Sequence, residues 1–255
     1  MPDLNPLTQG YKRRDVLALL GIGAICIAAG CGSSTPAVSP IPPAHPGAAQ
    51  KAFHAPGTRR IALTIDDGFD VETVDAYVSL SEQTGFPLTF NPIGILAQTW
   101  EGFAPRLRPL IADGRVQIAN HTFHHRVLTS QSDTDVRTEI ESNEEWIDKT
   151  FRVTSRPYLR PPDGLHDARV DDIAGALGFT KVLLWQGSLG DSAPVSQAQL
   201  MQAAQDCLHP GAVVLGHANY PTVRSLLPEI VDLIGQRKLE PSTLDEMFGT
   251  SRDVG

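Results

Sequence analysis

The stretch RIALTIDDG, residues 60–68, decides how the fold of this chain is interpreted. Its short apolar run, which ends at polar turn residues, predicts a buried strand. That strand leads directly into two adjacent carboxylates, Asp66 and Asp67. Acidic pairs in this position also serve as helix caps or solvated loop residues. The pair therefore indicates a site only if other residues of the chain converge on it.

A second cluster, HTFHH at residues 121–125, places His121 and His125 four residues apart. On one helical turn, side chains at this spacing lie on the same face, ~5–6 Å apart at Cβ. Two imidazoles and one carboxylate of the acidic pair form a ligand set that suits Zn²⁺ or a similar divalent ion. Three protein ligands leave a position open for water, as in catalytic zinc sites. The two clusters together predict a catalytic metal centre.

From about residue 57 the chain alternates short apolar runs with amphipathic segments, which is typical of βαβ units and a parallel sheet or barrel. The predicted strands cover residues 60–65, 87–93, 116–119, 156–159, 180–184 and 212–215. The predicted helices lie between Asp70 and Gly85 and at residues 103–112, 133–150, 170–177, 197–208 and 221–237.

Polar or aromatic residues follow the C-terminal ends of five predicted strands. These residues are Asp66 with Asp67, His121 with His125, Arg160, Trp185 and His217. The carboxyl ends of barrel strands meet at one rim, where α/β barrels assemble their active sites. We therefore expect these side chains to lie close together.

Residues 57–220, and the chain to about residue 250, resemble the polysaccharide deacetylase family (NodB homology domain, carbohydrate esterase family 4). TIDDG at 64–68 is similar to the TFDDG motif of the family, and NHTFHH at 120–125 is similar to its histidine motif. RPPDG at 160–164 and LGH at 215–217 resemble two later motifs. The resemblance implies an α/β fold, a distorted (β/α) barrel with fewer than eight complete strands.

The resemblance also implies roles for the residues of these motifs. Asp67, His121 and His125 would hold one divalent ion, usually Zn²⁺. Asp66 would be the general base for water activated by this ion, and His217 the general acid for the leaving amine. The implied reaction removes acetyl groups from N-acetylated glycans such as peptidoglycan or chitin-like polysaccharides.

Five further residues complete the implied site. Arg160 would pair with Asp66 and keep it ionised, because a nearby guanidinium lowers the pKa of a carboxyl group. Trp185 and Leu215 would line a small pocket for the acetyl methyl group. Asp163 stands where the family usually has an aromatic residue, and its backbone N–H is a candidate oxyanion donor. Asp191 either orients His217 or caps a helix.

Two other functions are compatible with the same residues. An O-deacetylase of esterified polysaccharide would use the same site, so the sequence does not separate it from an N-deacetylase. A non-catalytic glycan-binding lipoprotein on this scaffold would be expected to have lost the base, the acid or a ligand. This chain retains all five of those residues, which favours an enzyme.

The first thirty residues predict an export signal. Lys12-Arg13-Arg14 precede an uncharged stretch that runs from Val16 to Gly30, and Arg13-Arg14 resemble a twin-arginine signal. IAAGC at 27–31 resembles a bacterial lipoprotein processing site, which would leave Cys31 as the lipidated first residue. An uncleaved N-terminal anchor is the alternative, and both place the domain outside the cytoplasmic membrane.

Residues 31–56 predict a tether rich in Pro, Ala and Ser, and residues 57–250 the catalytic domain. A net charge of −8 argues against nucleic acid as the main partner. No motif predicts a protein partner, so the expected partners are a glycan substrate and the membrane. Cys207 lies on the apolar stripe of a predicted helix, which indicates a buried, inert thiol.

Overall fold

The structure, a computed structural model, describes residues 48–249. The predicted export signal, Cys31 and most of the predicted tether lie outside the described residues. The strands in this range are β1 Gln50–Ala52, β2 Arg60–Asp67, β3 Leu88–Pro92, β4 Val116–Ile118, β5 Tyr158–Leu159, β6 Lys181–Leu183, β7 Gly187–Ser188, β8 Val213–His217 and β9 Glu240–Pro241. The helices are α1 Val71–Thr84, α2 Ala97–Glu101, α3 Ala104–Ala112, α4 Asp133–Phe151, α5 Ala168–Ala176, α6 Gln197–Cys207, α7 Leu227–Gln236 and α8 Leu244–Phe248.

The strands pair in parallel in two sheets, β4-β3-β2-β8-β7 with β9 on β2, and β1-β6-β5. Backbone hydrogen bonds join the sheets on both sides. Asn120 N–H donates to the Tyr158 carbonyl and Arg160 N–H to that of Asn120, while Val213 N–H donates to the Phe53 carbonyl. The strands therefore enclose a distorted barrel. Among the described strands, β2, β3 and β8 have five or more residues and the others two or three.

Strand β2 is buried on both faces, and alternate residues face different parts of the core. The residues that pack in a large cluster with helices α1, α3 and α7 are Ile61, Leu63 and Ile65. Ala62 packs instead with strand residues that include Leu183 of β6. Thr64 and Asp66 share the face of Ala62, so both side chains lie on the interior side of the barrel.

Strand register places the polar residues of three strands at one level. Asp66 of β2 is opposite His217 of β8 and opposite Asn91 of β3. Thr64 and Leu215 form the level below. The carboxyl end of the barrel interior is thus closed by a layer of polar side chains, as the predicted rim requires.

Among the differences from the sequence prediction, two concern the tether and the last long helix. Residues 48–52 were assigned to the tether, but β1 pairs with β6 and both Ala49 and Ala52 are buried. So short a strand has no periodicity of its own and exists through its pairing. The last long helix is split into a 3₁₀ turn, Pro221–Leu226, and α7. Pro228 lies in the first turn of α7, where a residue without an N–H is tolerated.

Candidate active site

The two carboxylates are the last two residues of β2 rather than residues after it. Asp67 has a left-handed backbone, with φ 68°, and Gly68 follows with φ 108°. A Cβ atom at position 68 would lie 2.3 Å from Nε1 of Trp100. That indole N–H donates to the Asp67 carbonyl oxygen at 2.7 Å. The turn therefore requires glycine at position 68, and the Trp100 side chain fixes the backbone of Asp67 through this hydrogen bond.

His121 and His125 lie in a loop, not on the helical turn that their spacing suggested. Thr122 and His125 have left-handed φ values of 64° and 54°. Helix α4 holds this loop, because the buried carboxylate of Glu139 accepts from the His124 backbone N–H at 2.7 Å and lies 2.9 Å from His124 Nδ1. His124 therefore points away from the two candidate ligands.

The two histidine rings still converge, with centroids 4.7 Å apart and an interplanar angle of 81°. His121 Nδ1 lies 2.8 Å from the Arg160 carbonyl oxygen. We assign the Nδ1 proton from this contact, which leaves the lone pair of Nε2 facing Asp67. Burial lowers the pKa of His121 and outweighs the opposing effect of Asp66, so the ring is held in its neutral, ligand-competent form.

The donor atoms of Asp67, His121 and His125 suit a divalent metal ion. All three lie within 4.8 Å of one another. Asp67 Oδ1 is 3.5 Å from His121 Nε2 and 3.8 Å from His125 Nε2. Two ligands bound ~2.1 Å from one tetrahedral ion would be about 3.4 Å apart. Asp67 Oδ1 is also buried without a hydrogen-bond partner, as expected of an oxygen whose partner is a cation.

Asp66 is almost fully buried beside this cluster. Its Oδ1 accepts from Arg160 at 2.9 Å and from Asn91 at 2.6 Å, and its Oδ2 lies 3.4 Å from His121 Nε2. Burial on its own raises the pKa of Asp66. The charge of Arg160, with smaller effects from His121, His217 and Asn91, reverses this and lowers the pKa. Asp66 is therefore a buried carboxylate that stays ionised.

Arg160 is completely buried, and each of its three guanidinium nitrogens donates a hydrogen bond. Besides Asp66, it donates to Thr64 Oγ1 at 2.9 Å and to the Leu183 carbonyl oxygen at 3.2 Å. Its carbon atom Cζ lies 5.5 Å from the centre of the Trp185 ring. Arg160 thus contacts β2, β6 and Trp185, which lies two residues after β6.

His217, on the strand next to β2, and Asp191 form a buried pair. His217 Nδ1 is 2.9 Å from Asp191 Oδ1, and the His217 backbone N–H donates to Asp191 Oδ2 at 3.1 Å. Burial lowers the pKa of His217, but the Asp191 hydrogen bond and the charge of Asp66 outweigh it and raise the pKa. Asp191 was expected either to orient His217 or to cap a helix. Ser196 caps helix α6, and Asp191 contacts His217.

The remaining predicted residues lie around this centre. Leu215 is buried one level below His217 and opposite Thr64. Trp185 is half-buried, and a Cβ atom at Gly164 would lie 2.9 Å from its ring. Asp163 is exposed in the turn that ends at Gly164 and has a left-handed φ of 56°. Cys207 is buried as predicted, and burial raises the pKa of its thiol to about 12.

Sequence reasoning missed two asparagines that contact the carboxylates. Asn91 donates to Asp66, and Asn219 Nδ2 donates to Asp67 Oδ2 at 2.7 Å. A signal for Asn91 was present, since a buried strand that reads Leu-Thr-Phe-Asn-Pro carries an amide on its interior face. Asn219 follows β8 in a loop, where no periodicity marks it.

The sequence profile described as polysaccharide deacetylase matches residues 54–182, just over half of the chain. This chain belongs to the polysaccharide deacetylase family. The chitooligosaccharide deacetylase of Bradyrhizobium sp. (strain ANU 289) is 28% identical over 166 residues, which cover 65% of this chain and 73% of that protein. The peptidoglycan-N-acetylmuramic acid deacetylase of Bacillus subtilis (strain 168) is 27% identical over 203 residues, covering 77% and 75%.

Solved structures with this fold include both an enzyme and a pseudoenzyme. A peptidoglycan N-acetylglucosamine deacetylase has a TM-score of 0.70 at 25% identity, covering 79% of this chain and 94% of its own. A carbohydrate esterase family 4 pseudoenzyme from Bacillus anthracis has a TM-score of 0.69 at 19% identity, covering 78% and 68%. The second likeness shows the fold alone, so activity has to be argued from the site.

Proposed function

We propose that this polysaccharide deacetylase is a metal-dependent hydrolase that removes acetyl groups from N-acetylated glycans of the cell envelope. One observation carries the proposal: a buried, ionised Asp66 and a His217 with a raised pKa are opposite each other in strand register, beside a cluster of three metal-ligand side chains. Base, acid and ligands therefore share one rim.

Asp67, His121 and His125 would hold the ion, which we assign as Zn²⁺ from the N/O ligand set. When bound, such an ion polarises the acetyl carbonyl and makes water a nucleophile at neutral pH. The protein supplies the neutral imidazole at His121, through burial and the Nδ1 contact with Arg160.

The two proton transfers belong to Asp66 and His217. Asp66 Oδ2, the oxygen that Arg160 and Asn91 leave free, accepts a proton from the attacking water. His217 then gives its proton to the nitrogen as the C–N bond breaks, so that acetate and a free amine leave. Asp191 supports this step because it keeps His217 protonated and fixes its ring.

The substrate class is inferred from the relatives and from the pocket residues. One relative is a chitooligosaccharide deacetylase, and the other is a peptidoglycan-N-acetylmuramic acid deacetylase. We assign Trp185 and Leu215 to the acetyl methyl pocket, and Asp163, exposed in its turn, to contacts with the sugar. The backbone N–H of Asp163 is the candidate oxyanion donor.

A direct assay separates this function from the two alternatives, an O-deacetylase and a non-catalytic glycan-binding protein. Acetate release from an N-acetylglucosamine oligomer should exceed release from acetylated xylan, and the reverse order would identify an O-deacetylase. EDTA should abolish the activity and Zn²⁺ restore it. Glycan binding without acetate release at any metal concentration would identify a non-catalytic protein.

We also propose that the protein is exported and held to the outer face of the cytoplasmic membrane by lipid on Cys31, with a tether before the barrel. A single acyl chain binds a membrane only marginally, whereas a diacylated cysteine anchors stably. Across residues 48–249, no helix is long and apolar enough to cross a bilayer. Mass spectrometry that finds residues 1–30 still attached, or unchanged membrane association in Cys31→Ala, would contradict lipid anchoring.

A further inference from the structure

The adjacent carboxylates of Asp66 and Asp67 are alike in type and burial, yet the proposed function needs one as a base and the other as a ligand. Distance to His121 does not separate them, since Asp66 Oδ2 is 3.4 Å and Asp67 Oδ1 is 3.5 Å from His121 Nε2. Of the two carboxylates, Asp67 is the one that also lies close to His125, with its Oδ1 3.8 Å from Nε2. The hydrogen bonds that the two carboxylates accept distinguish them further.

Asn219 holds one oxygen of Asp67. Its Nδ2 donates to Asp67 Oδ2 at 2.7 Å, while its own Oδ1 faces the backbone N–H groups of Gly68 and Phe69, each at 3.4 Å. These two donors fix which end of the amide faces the carboxylate. Asp67 Oδ2 is thereby occupied, and Oδ1 is left buried, without a hydrogen-bond partner and directed at both histidines.

Asp66 is held in a different way. Asn91 Nδ2 and Arg160 both donate to its Oδ1, at 2.6 and 2.9 Å. The guanidinium charge competes with a metal ion for the negative charge of Asp66. Asp67 Oδ2 instead accepts from the neutral amide of Asn219. Both the hydrogen-bond pattern and the charge favour Asp67 as the ligand.

We propose that Asn219 and Asn91 are positioning residues that sort the two carboxylates. Asn219 makes Asp67 a ligand through Oδ1 alone, and Asn91, with Arg160, keeps Asp66 out of the ligand set and turns its Oδ2 toward the substrate side. This inference rests on the proposed metal-dependent function. It adds an orientation for each carboxylate and names the side chains that set it.

A matched pair of variants tests the sorting. Asn219→Leu and Asn91→Leu each remove one amide donor and keep roughly its volume, and Ser225→Ala, at an exposed position six residues after Asn219 in the sequence, is the control. The full chain is titrated with Zn²⁺ in competition with a chromogenic chelator. We expect Asn219→Leu to raise the zinc dissociation constant ~10–100-fold, the usual effect of losing a partner of a metal ligand.

Because Arg160 still holds Asp66 Oδ1, Asn91→Leu should leave the zinc dissociation constant at the wild-type value. It should lower kcat on the N-acetylated oligomer, on the order of tenfold. Asn219→Ala is a second variant that repeats the zinc measurement if the leucine disturbs folding. Wild-type zinc affinity in folded Asn219→Leu and Asn219→Ala, or equal weakening in Asn91→Leu, would overturn the sorting. Failure of the wild-type chain itself to bind zinc would instead overturn the proposed function, and the sorting with it.

Discussion

Arg160 and Asp66 form an ion pair, 2.9 Å long, in which neither side chain is more than 4% exposed. A buried pair of this kind costs desolvation energy and is stabilising only while both partners are present. The pair therefore couples the stability of the barrel to the ionisation of the proposed base.

The first prediction concerns removal of Arg160. Arg160→Leu leaves a buried, uncompensated carboxylate, so the free energy of unfolding should fall by about 3–5 kcal/mol at pH 7. The folded pKa of Asp66 is depressed, so its stabilising contribution is present above the unfolded value of 3.8 and is lost as pH falls through the folded pKa. Urea unfolding in EDTA measures the loss. Arg160→Lys keeps the charge and should lose less, and equal stability of all three proteins would contradict the prediction.

Asp66→Asn should remove the base without removing a ligand. We expect kcat to fall ~10²–10⁴-fold, the usual contribution of a general base, while zinc affinity is retained. Acetate release at saturating zinc and a zinc titration are measured together, with Asp67→Asn as the variant that should lose zinc. Near-normal turnover in Asp66→Asn would show that the base lies elsewhere.

His217→Ala tests whether His217 protonates the leaving group. An amine cannot leave an amide without a proton, but an ester with a good leaving group needs little protonation. We therefore expect a much larger loss of kcat/KM on the N-acetylated oligomer than on an activated acetate ester. Equal losses on both substrates would indicate that His217 serves binding or structure.

Asp191→Asn should shift the pH dependence of the reaction. Burial lowers the pKa of His217, and the hydrogen bond that its ring donates to Asp191 is the largest effect that raises it. An acid acts only while protonated, so activity is lost as pH rises through its pKa. Loss of the Asp191 charge should move the basic limb of the kcat/KM profile to lower pH. A limb that stays in place, or moves to higher pH, would exclude His217 as the group that sets it.

Gly68→Ala tests the contact between the acidic turn and Trp100. The new Cβ would lie 2.3 Å from Trp100 Nε1 and would displace the donor to the Asp67 carbonyl. We expect a destabilisation of about 1–3 kcal/mol beyond backbone strain, together with weaker zinc binding. Gly85→Ala is the matched control, since Gly85 also has a left-handed φ, 73°, but nothing within 4 Å. Equal losses in thermal stability would mean that the Trp100 contact adds nothing.

The sequence by itself determined six of the nine described strands and the residue types of the candidate site. An apolar run that ends in two carboxylates, and two imidazoles four residues apart, are local patterns whose ligand character does not depend on the rest of the chain. Because each candidate follows a predicted strand, the parallel arrangement already implied a common rim. Helix α1, with its cap at Asp70 and its end at Gly85, was equally local and is observed as predicted.

Only the tertiary structure decided the geometry of the loop that carries His121 and His125, and the hydrogen-bond partners of Asp66 and Asp67. The HTFHH segment is not helical, because Glu139 of α4 holds its backbone in a loop that contains left-handed residues. Asn219 meets Asp67 across 152 residues of chain, and Asn91 meets Asp66 through strand pairing. No local pattern encodes such contacts, since they arise when strand pairing brings the ends of β2, β3 and β8 to one level.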